Sequence, residues 1–319
     1  MKSLMIKALM LLVLPLAGYA TDSTGYHKFM DNVVERLSPV GPTAHHDGFV
    51  EENNLWYPPG IENQTNGMTE EVFNQILDQV YQVYAPIFKS FGAEFIIERA
   101  WSDGTVNAFA RQSGNRWIIR MFGGLARHET ITPDGFALVA CHEIGHHLGG
   151  FPKYNNNGWA SNEGQSDYFA SLKCLRKLWA QDNNIDYVEY MWAMESPFVD
   201  DYAMQACMQA HTDPRMQALC GRMSMGGQSV AFLFQALRRL PEAPKFSTPD
   251  KSEVRRTNDR HPQPQCRMDT YFQGALCPIS ANEPVSNTDE TQGTCNRASN
   301  HPYGLRPLCW FKPSGFSFF

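Results

Sequence analysis

Residues 142–147 read His-Glu-Ile-Gly-His-His and close an apolar run containing Phe136, Ala137, Val139 and Ala140. An α-helix rises about 1.5 Å per residue, so residues i and i+4 share a face about 6 Å apart. A chain carrying this segment must bury a helix and, on it, two imidazoles and a carboxylate. His142 and His146, so spaced, can hold one zinc ion. Glu143 stands next to the first of them, near enough to meet water at the metal without ligating it. The helix has clear bounds. Thr132 is placed as its cap, Pro133 as its first residue and Asp134 in its first turn. Gly149-Gly150 stop it and Pro152 prevents its resumption, which predicts a helix from Pro133 to about Leu148. The plain alternative is a pair of structural histidines in a chain that has ten.

Two histidines and a base leave a third ligand to find. A histidine six residues beyond His146 is one option, but Pro152 stands there, and no further histidine occurs between His147 and His211. Residues 163–167 read Glu-Gly-Gln-Ser-Asp. Glu163 and Asp167 are i and i+4 on a predicted helix that runs on through Tyr168 to Trp179, with Ser161 as its cap. Glu163 would complete a His-His-Glu site with one open position. Asp167 would accept a hydrogen bond from the far nitrogen of His142, fixing its tautomer and raising its basicity. The bland reading of the pair is an acidic face at a helix start, where carboxylates are favoured.

With those residues in place, the segment Asn107 to Asp167 resembles the zinc peptidase family of the CAAX prenyl protease, the HtpX-type membrane proteases and their soluble periplasmic relatives. Those enzymes are gluzincins with a His-His-Glu site. Asn107-Ala108-Phe109-Ala110 looks like the family's segment before the active-site helix, and Gly123-Gly124-Leu125 like its turn after the next strand. His261-Pro262 followed by Arg267 looks like its downstream His-Pro-x-x-x-x-Arg element. The resemblance implies a role for His261, as a donor to the oxyanion or as a reversible fourth zinc ligand; a structural His-Pro turn is the alternative. It assigns Arg267 to positioning the loop electrostatically. Tyr154 and His211 are weaker candidates. Only the soluble branch is resembled, since no membrane span is predicted after the N-terminus, and Ser166-Asp167 stands where the family usually has Ala-Asp.

Residues 1–20 read as a secretory signal, with an uncleaved anchor as the alternative: Lys2 and Lys7, an apolar run Ala8–Leu16, then Gly-Tyr-Ala. The formal charge is −6, and loss of two lysines with the signal makes the mature chain more acidic. That disfavours nucleic acid and anionic membrane as partners, and no stable membrane insertion is expected after signal cleavage. Eight cysteines in an exported chain read as disulfides, although eight allow roughly a hundred pairings. The simplest local set is Cys207–Cys220, Cys266–Cys277 and Cys295–Cys309. That leaves Cys141 with Cys174. With straight antiparallel helices and Asp167 level with His142, Cys174 falls about 9 Å too far along, which puts this last pair in doubt and makes a buried free Cys141 an acceptable alternative.

Residues 21–67 are expected to be an extended lead-in, 68–240 a zinc metallopeptidase domain, and 241–319 a Cys-rich, loop-rich segment packed on that domain and contributing His261. Val72, Phe73, Ile76, Leu77, Val80, Tyr81 and Tyr84 recur at helical spacing behind Glu70 and Glu71. Strand-like runs follow at 93–98, 105–111 and 116–122, with Ser113-Gly114-Asn115 as a hairpin turn. Residues 186–240 read as helical, with a start at Asp213-Pro214. The expected fold is α+β and zincin-like. A small, mostly antiparallel sheet packs on the metal-site helix and the Glu163 helix, with further helices and the Cys-rich tail. The expected function is a metalloendopeptidase in the periplasm or outside the cell, with one zinc per chain; protein quality control is a role it would fit. Glu143 would be its general base and His261 its oxyanion donor. Its protein or peptide substrates would add as a strand along the edge Asn107–Arg111. The alternatives are a chaperone-like or binding module with a structural zinc, closed by His261, and a zinc amidase acting on cell-wall peptides.

Overall fold

In the computed structural model, which describes residues 48–60, 66–156, 158–194 and 200–314, helix α1 (Glu70–Ser90) begins at a Thr69 cap whose hydroxyl accepts from Val72 N. Its buried face is Phe73, Leu77, Val80, Tyr84 and Phe88, a stripe of three- and four-residue steps. The signal segment 1–20 and most of the lead-in lie outside the described residues. No helix among those described is long and apolar enough to cross a membrane.

Three strands follow: β1 (Glu94–Ala100), β2 (Ala108–Ser113) and β3 (Arg116–Phe122), in the sheet order β1-β3-β2. The hairpin between β2 and β3 turns at Gly114, whose φ of +60° suits glycine. The sheet is evenly mixed rather than mostly antiparallel, because β3 pairs parallel with β1 and antiparallel with β2. The cause is the link 101–107. It crosses the end of the sheet and starts β2 two strand positions from β1, which leaves the place between them for β3. Gly123 and Gly124, at the start of α2 (Gly123–Arg127), pass directly beneath that link. A Cβ on either would run into the backbone of Trp101 or Gly104.

Helix α3 (Pro133–Leu148) has the predicted bounds and cap, with Thr132 Oγ1 accepting from Gly135 N at 3.1 Å. Every residue from Asp134 to His147 is buried, so this helix is covered on all sides. Phe136 meets Phe73 of α1. His147 binds it to the sheet: its ring stacks between Trp117 and Trp159, and Nε2 lies 3.2 Å from the Ile118 carbonyl oxygen.

The second site helix, α4 (Glu163–Phe169), runs without a break through a π-helical segment (Ala170–Leu175) into α5 (Arg176–Leu178). Its cap is Asn162, which accepts from Gln165 N at 3.0 Å. Ser161, the expected cap, instead gives its hydroxyl to the Gly150 carbonyl. Cys141 and Cys174 are bonded, against the doubt that a straight register cast on this pair. Residues in i→i+5 turns advance less per residue than in an α-helix. The stretch from Asp167 to Cys174 is therefore shorter and wider than the straight antiparallel register assumed.

Beyond lie α6 (Asn184–Ala193), α7 (Asp201–Ala210) and the long α8 (Pro214–Arg238), capped by Asp213 as predicted. The C-terminal segment is less loop-rich than its composition implies. It contains α9 (Pro264–Leu276), packed into the core against α8 and α4. Cys207–Cys220 forms as expected, but the tail pairs Cys266 with Cys309 and Cys277 with Cys295. The tail doubles back, placing Trp310 against Gly164 so closely that a Cβ there would enter the indole. Sequence proximity therefore misjudges its pairings. The described molecule is thus mixed α+β, with a small three-stranded sheet and two adjacent site helices.

Candidate metal centre

His142 and His146 from α3 meet Glu163 from α4, and their nearest ligand atoms all lie within 4.8 Å of one another. All three side chains are buried. The two helices reach this closeness because Gly145 faces Ser166; a Cβ on Gly145 would lie 2.9 Å from the Ser166 Cα. Each histidine is fixed through its Nδ1. His142 Nδ1 is 2.7 Å from Asp167 Oδ1, and His146 Nδ1 is 2.9 Å from the Ser161 carbonyl oxygen. With Nδ1 donating, each Nε2 presents a lone pair toward the Glu163 carboxylate, at 3.4 and 3.7 Å.

Buried polar atoms are nearly always hydrogen-bonded. Here His142 Nε2, Glu143 Oε1 and Glu163 Oε2 are buried without a hydrogen-bond partner. Two of them, His142 Nε2 and Glu163 Oε2, belong to the His142–His146–Glu163 group, whose ligand atoms lie within 4.8 Å of one another and could hold a cation. The protonation equilibria point the same way. Burial alone would lower the His142 pKa, but the Asp167 and Glu163 carboxylates outweigh it and raise it to about 9. A field that draws a proton to that lone pair also draws a metal ion. Burial would raise Glu163, yet His261, His142 and His146 hold it well below the usual carboxylate range. Burial pushes the Glu143 carboxyl up to about 8, against the opposing charge of His142.

Asp167 is the hub of the surrounding shell. Its Oδ1 accepts from Arg267 Nη2 and Tyr271 Oη, its Oδ2 from Arg267 Nε, all at 2.7–2.8 Å. Arg267 holds it ionised against the cost of burial. Both Arg267 and Tyr271 come from α9, which the tail's composition hides. Tyr154, a weak candidate from sequence, is part of the site: its hydroxyl donates to Glu163 Oε1 at 2.5 Å. His261 Nε2 stands 3.2 Å from Glu163 Oε2 and hydrogen-bonds the Gly48 carbonyl at 2.9 Å. His211 is elsewhere, bonded to the Ala275 carbonyl, and His147 serves the seam between helix and sheet. Asp250, Cys266 and Cys309 also cluster, but both sulfurs are consumed in one disulfide.

The edge Asn107–Arg111 is partly covered by the chain itself. Phe49 N donates to the Ala108 carbonyl, and the Asn107 side chain bonds both the N–H and the C=O of Val50. No feature of the sequence marked residues 48–50 as part of the site; their apolar side chains sit in a stretch read as lead-in. Compared with family models, curated proteins and solved structures, the chain matches none. His142, His146 and Glu163 form a buried group that could hold a metal ion.

Proposed function

We propose that the protein is a zinc-dependent metalloendopeptidase of the gluzincin kind, resembling the soluble branch of the CAAX prenyl protease and HtpX-type family. The observation that carries this reading is the buried group of His142, His146 and Glu163, whose ligand atoms lie within 4.8 Å of one another, with Glu143 Oε1 buried and unbonded on the same helix as the histidines. A two-nitrogen, one-oxygen donor set with an adjacent carboxylate is the pattern of a catalytic zinc site. Zinc held by His142, His146 and Glu163 would supply Lewis acidity toward a peptide carbonyl and lower the pKa of water beside it. Glu143 Oε1 takes the proton of the attacking water and passes it to the leaving amine nitrogen. His261 Nε2 donates to the developing oxyanion; its hydrogen bond to the Gly48 carbonyl supports that role, since it already serves a peptide oxygen. Tyr154 and Asp167 hold Glu163 and His142 in place. Four disulfides fit a protein of an oxidising, non-cytoplasmic compartment, in keeping with action on proteins in the periplasm or outside the cell.

A second reading rests on His261. Its Nε2 is 3.2 Å from Glu163 Oε2, near enough to close the site as a fourth ligand and leave a chaperone-like or binding module. The two readings separate on purified protein assayed for casein hydrolysis with and without chelator, and for zinc content. Glu143→Gln is expected to retain zinc and to lose hydrolysis by about 10²–10⁴-fold. Hydrolysis that persists in Glu143→Gln rules out this peptidase mechanism. Glu163→Gln is expected to lose zinc; unchanged zinc places the third ligand elsewhere.

A further inference from the structure

Residues 48–57 run antiparallel to 104–108. Phe49 N meets the Ala108 carbonyl at one end and Tyr57 N the Gly104 carbonyl at the other. The upstream end of this run lies in the metal centre. His261 donates to the Gly48 carbonyl at 2.9 Å, and Arg267 Nη1 donates to the next carbonyl, that of Phe49, at 2.8 Å. Two successive peptide oxygens are thus held by two side chains of the site. The Phe49 ring is fully buried, edge-on to the metal-facing His142 at 4.9 Å and beside Phe234, with the Arg267 guanidinium over its face at 4.6 Å. Gly48 fits only because it has no side chain, since a Cβ would enter Phe109 and the Asn107 amide.

Backbone pairing to a sheet edge, gripped carbonyls and one deep side-chain pocket are the parts of peptide recognition by strand addition. We propose that Gly48-Phe49-Val50 occupies the substrate groove as a built-in substrate mimic. The groove takes an extended peptide with a small residue followed by a large aromatic one, and the intact chain blocks it. This rests on the peptidase reading above. A cavity of about 80 Å³ alongside, lined by Val50, Phe234, Arg238 and His261, leaves room for the groove to extend once the segment leaves.

The test uses the full chain with a specific protease site inserted after the exposed Glu52, so that the segment can be cut from the body. The probe is the fluorescently labelled hexapeptide Asp-Gly-Phe-Val-Glu-Glu, of the same sequence as residues 47–52, read by anisotropy. The cut protein is expected to keep its circular dichroism, bind the probe and hydrolyse casein faster. A probe with Ala for Phe is expected to bind about tenfold or more weakly, as loss of a buried aromatic ring requires. A second variant, Gly48→Ala in the uncut chain, is expected to admit the probe by unseating the segment. Failure of both proteins to bind it, equal binding of the Phe and Ala probes, or unfolding of both would make residues 48–50 framework and overturn the proposal. Probe binding without casein hydrolysis leaves the groove standing and removes the peptidase. Hydrolysis indifferent to cutting and to excess probe leaves the peptidase and removes the groove.

Discussion

Asp167 accepts four hydrogen bonds on two buried oxygens, and His142 depends on one of them for its orientation. Asp167→Asn removes the charge that Arg267 neutralises and turns one of the two acceptor oxygens into a donor amide, which weakens the hold on His142. Metal affinity is expected to fall about 10–100-fold, and stability by about 3–5 kcal/mol through the unpaired buried guanidinium. Competition with a chromogenic chelator and urea denaturation read the two effects separately. Asp269 gives a pH signature away from the metal. Burial raises its pKa from 3.8 to about 6, despite hydrogen bonds from Asp250 N and Gln265. Its folded form holds a proton that the unfolded chain releases, so its stabilising contribution is full below about pH 4 and is lost as pH rises through about 6. Wild type should therefore lose stability across that window relative to Asp269→Asn, in urea midpoints taken at each pH. At this scale the sequence was most readable where spacing forces geometry. His142, His146, Glu163 and Asp167 are i and i+4 pairs, and the structure brings them together. Tyr154 and Phe49 reach the site from irregular segments, where no periodicity betrays a side chain's direction.

Between elements, the closest approach is that of α3 and α4 at Gly145 and Ser166. Gly145→Ala gains helix propensity but drives a methyl group against the facing backbone. The net effect is expected to be a loss of about 1–3 kcal/mol, with weaker metal binding because Glu163 recedes from the two histidines. Thermal melting and zinc titration of the variant check both. A melting temperature at or above that of wild type would show that the helices separate freely. Terminal signals made α1, α3 and α8 legible: Glu70 and Glu71 lie in the first turn of α1, and Thr132 and Asp213 cap α3 and α8 as their residue types require. Helix α9 was hidden because it buries Arg267, Asp269 and Thr270, polar residues that erase an apolar stripe. The π-helical segment has no local signal; tertiary packing imposes it, and with it the Cys141–Cys174 bond.

For the molecule as a whole, the tail is a brace. The Cys266–Cys309 bond ties α9, and with it Arg267, to the strip that lays Trp310 on the first turn of α4. Replacing both cysteines by serine is expected to cost about 2–4 kcal/mol in guanidinium denaturation. Metal loss should begin before global unfolding, because the brace holds the Glu163 helix. Simultaneous loss of metal and fold would make the brace purely global. Composition showed a stapled tail but not its pairings, since these follow a return path set by Trp310 rather than distance along the chain.

One consequence is optical. His147 lies sandwiched between Trp117 of β3 and Trp159 of the loop leading to Glu163. An imidazole stacked on indoles alters their emission, so these two tryptophans form a native fluorescent gauge. It spans the sheet, the helix of His142 and His146, and the approach to Glu163. Any event that parts those three layers changes the protein's own light output, and it can be followed in real time without a label.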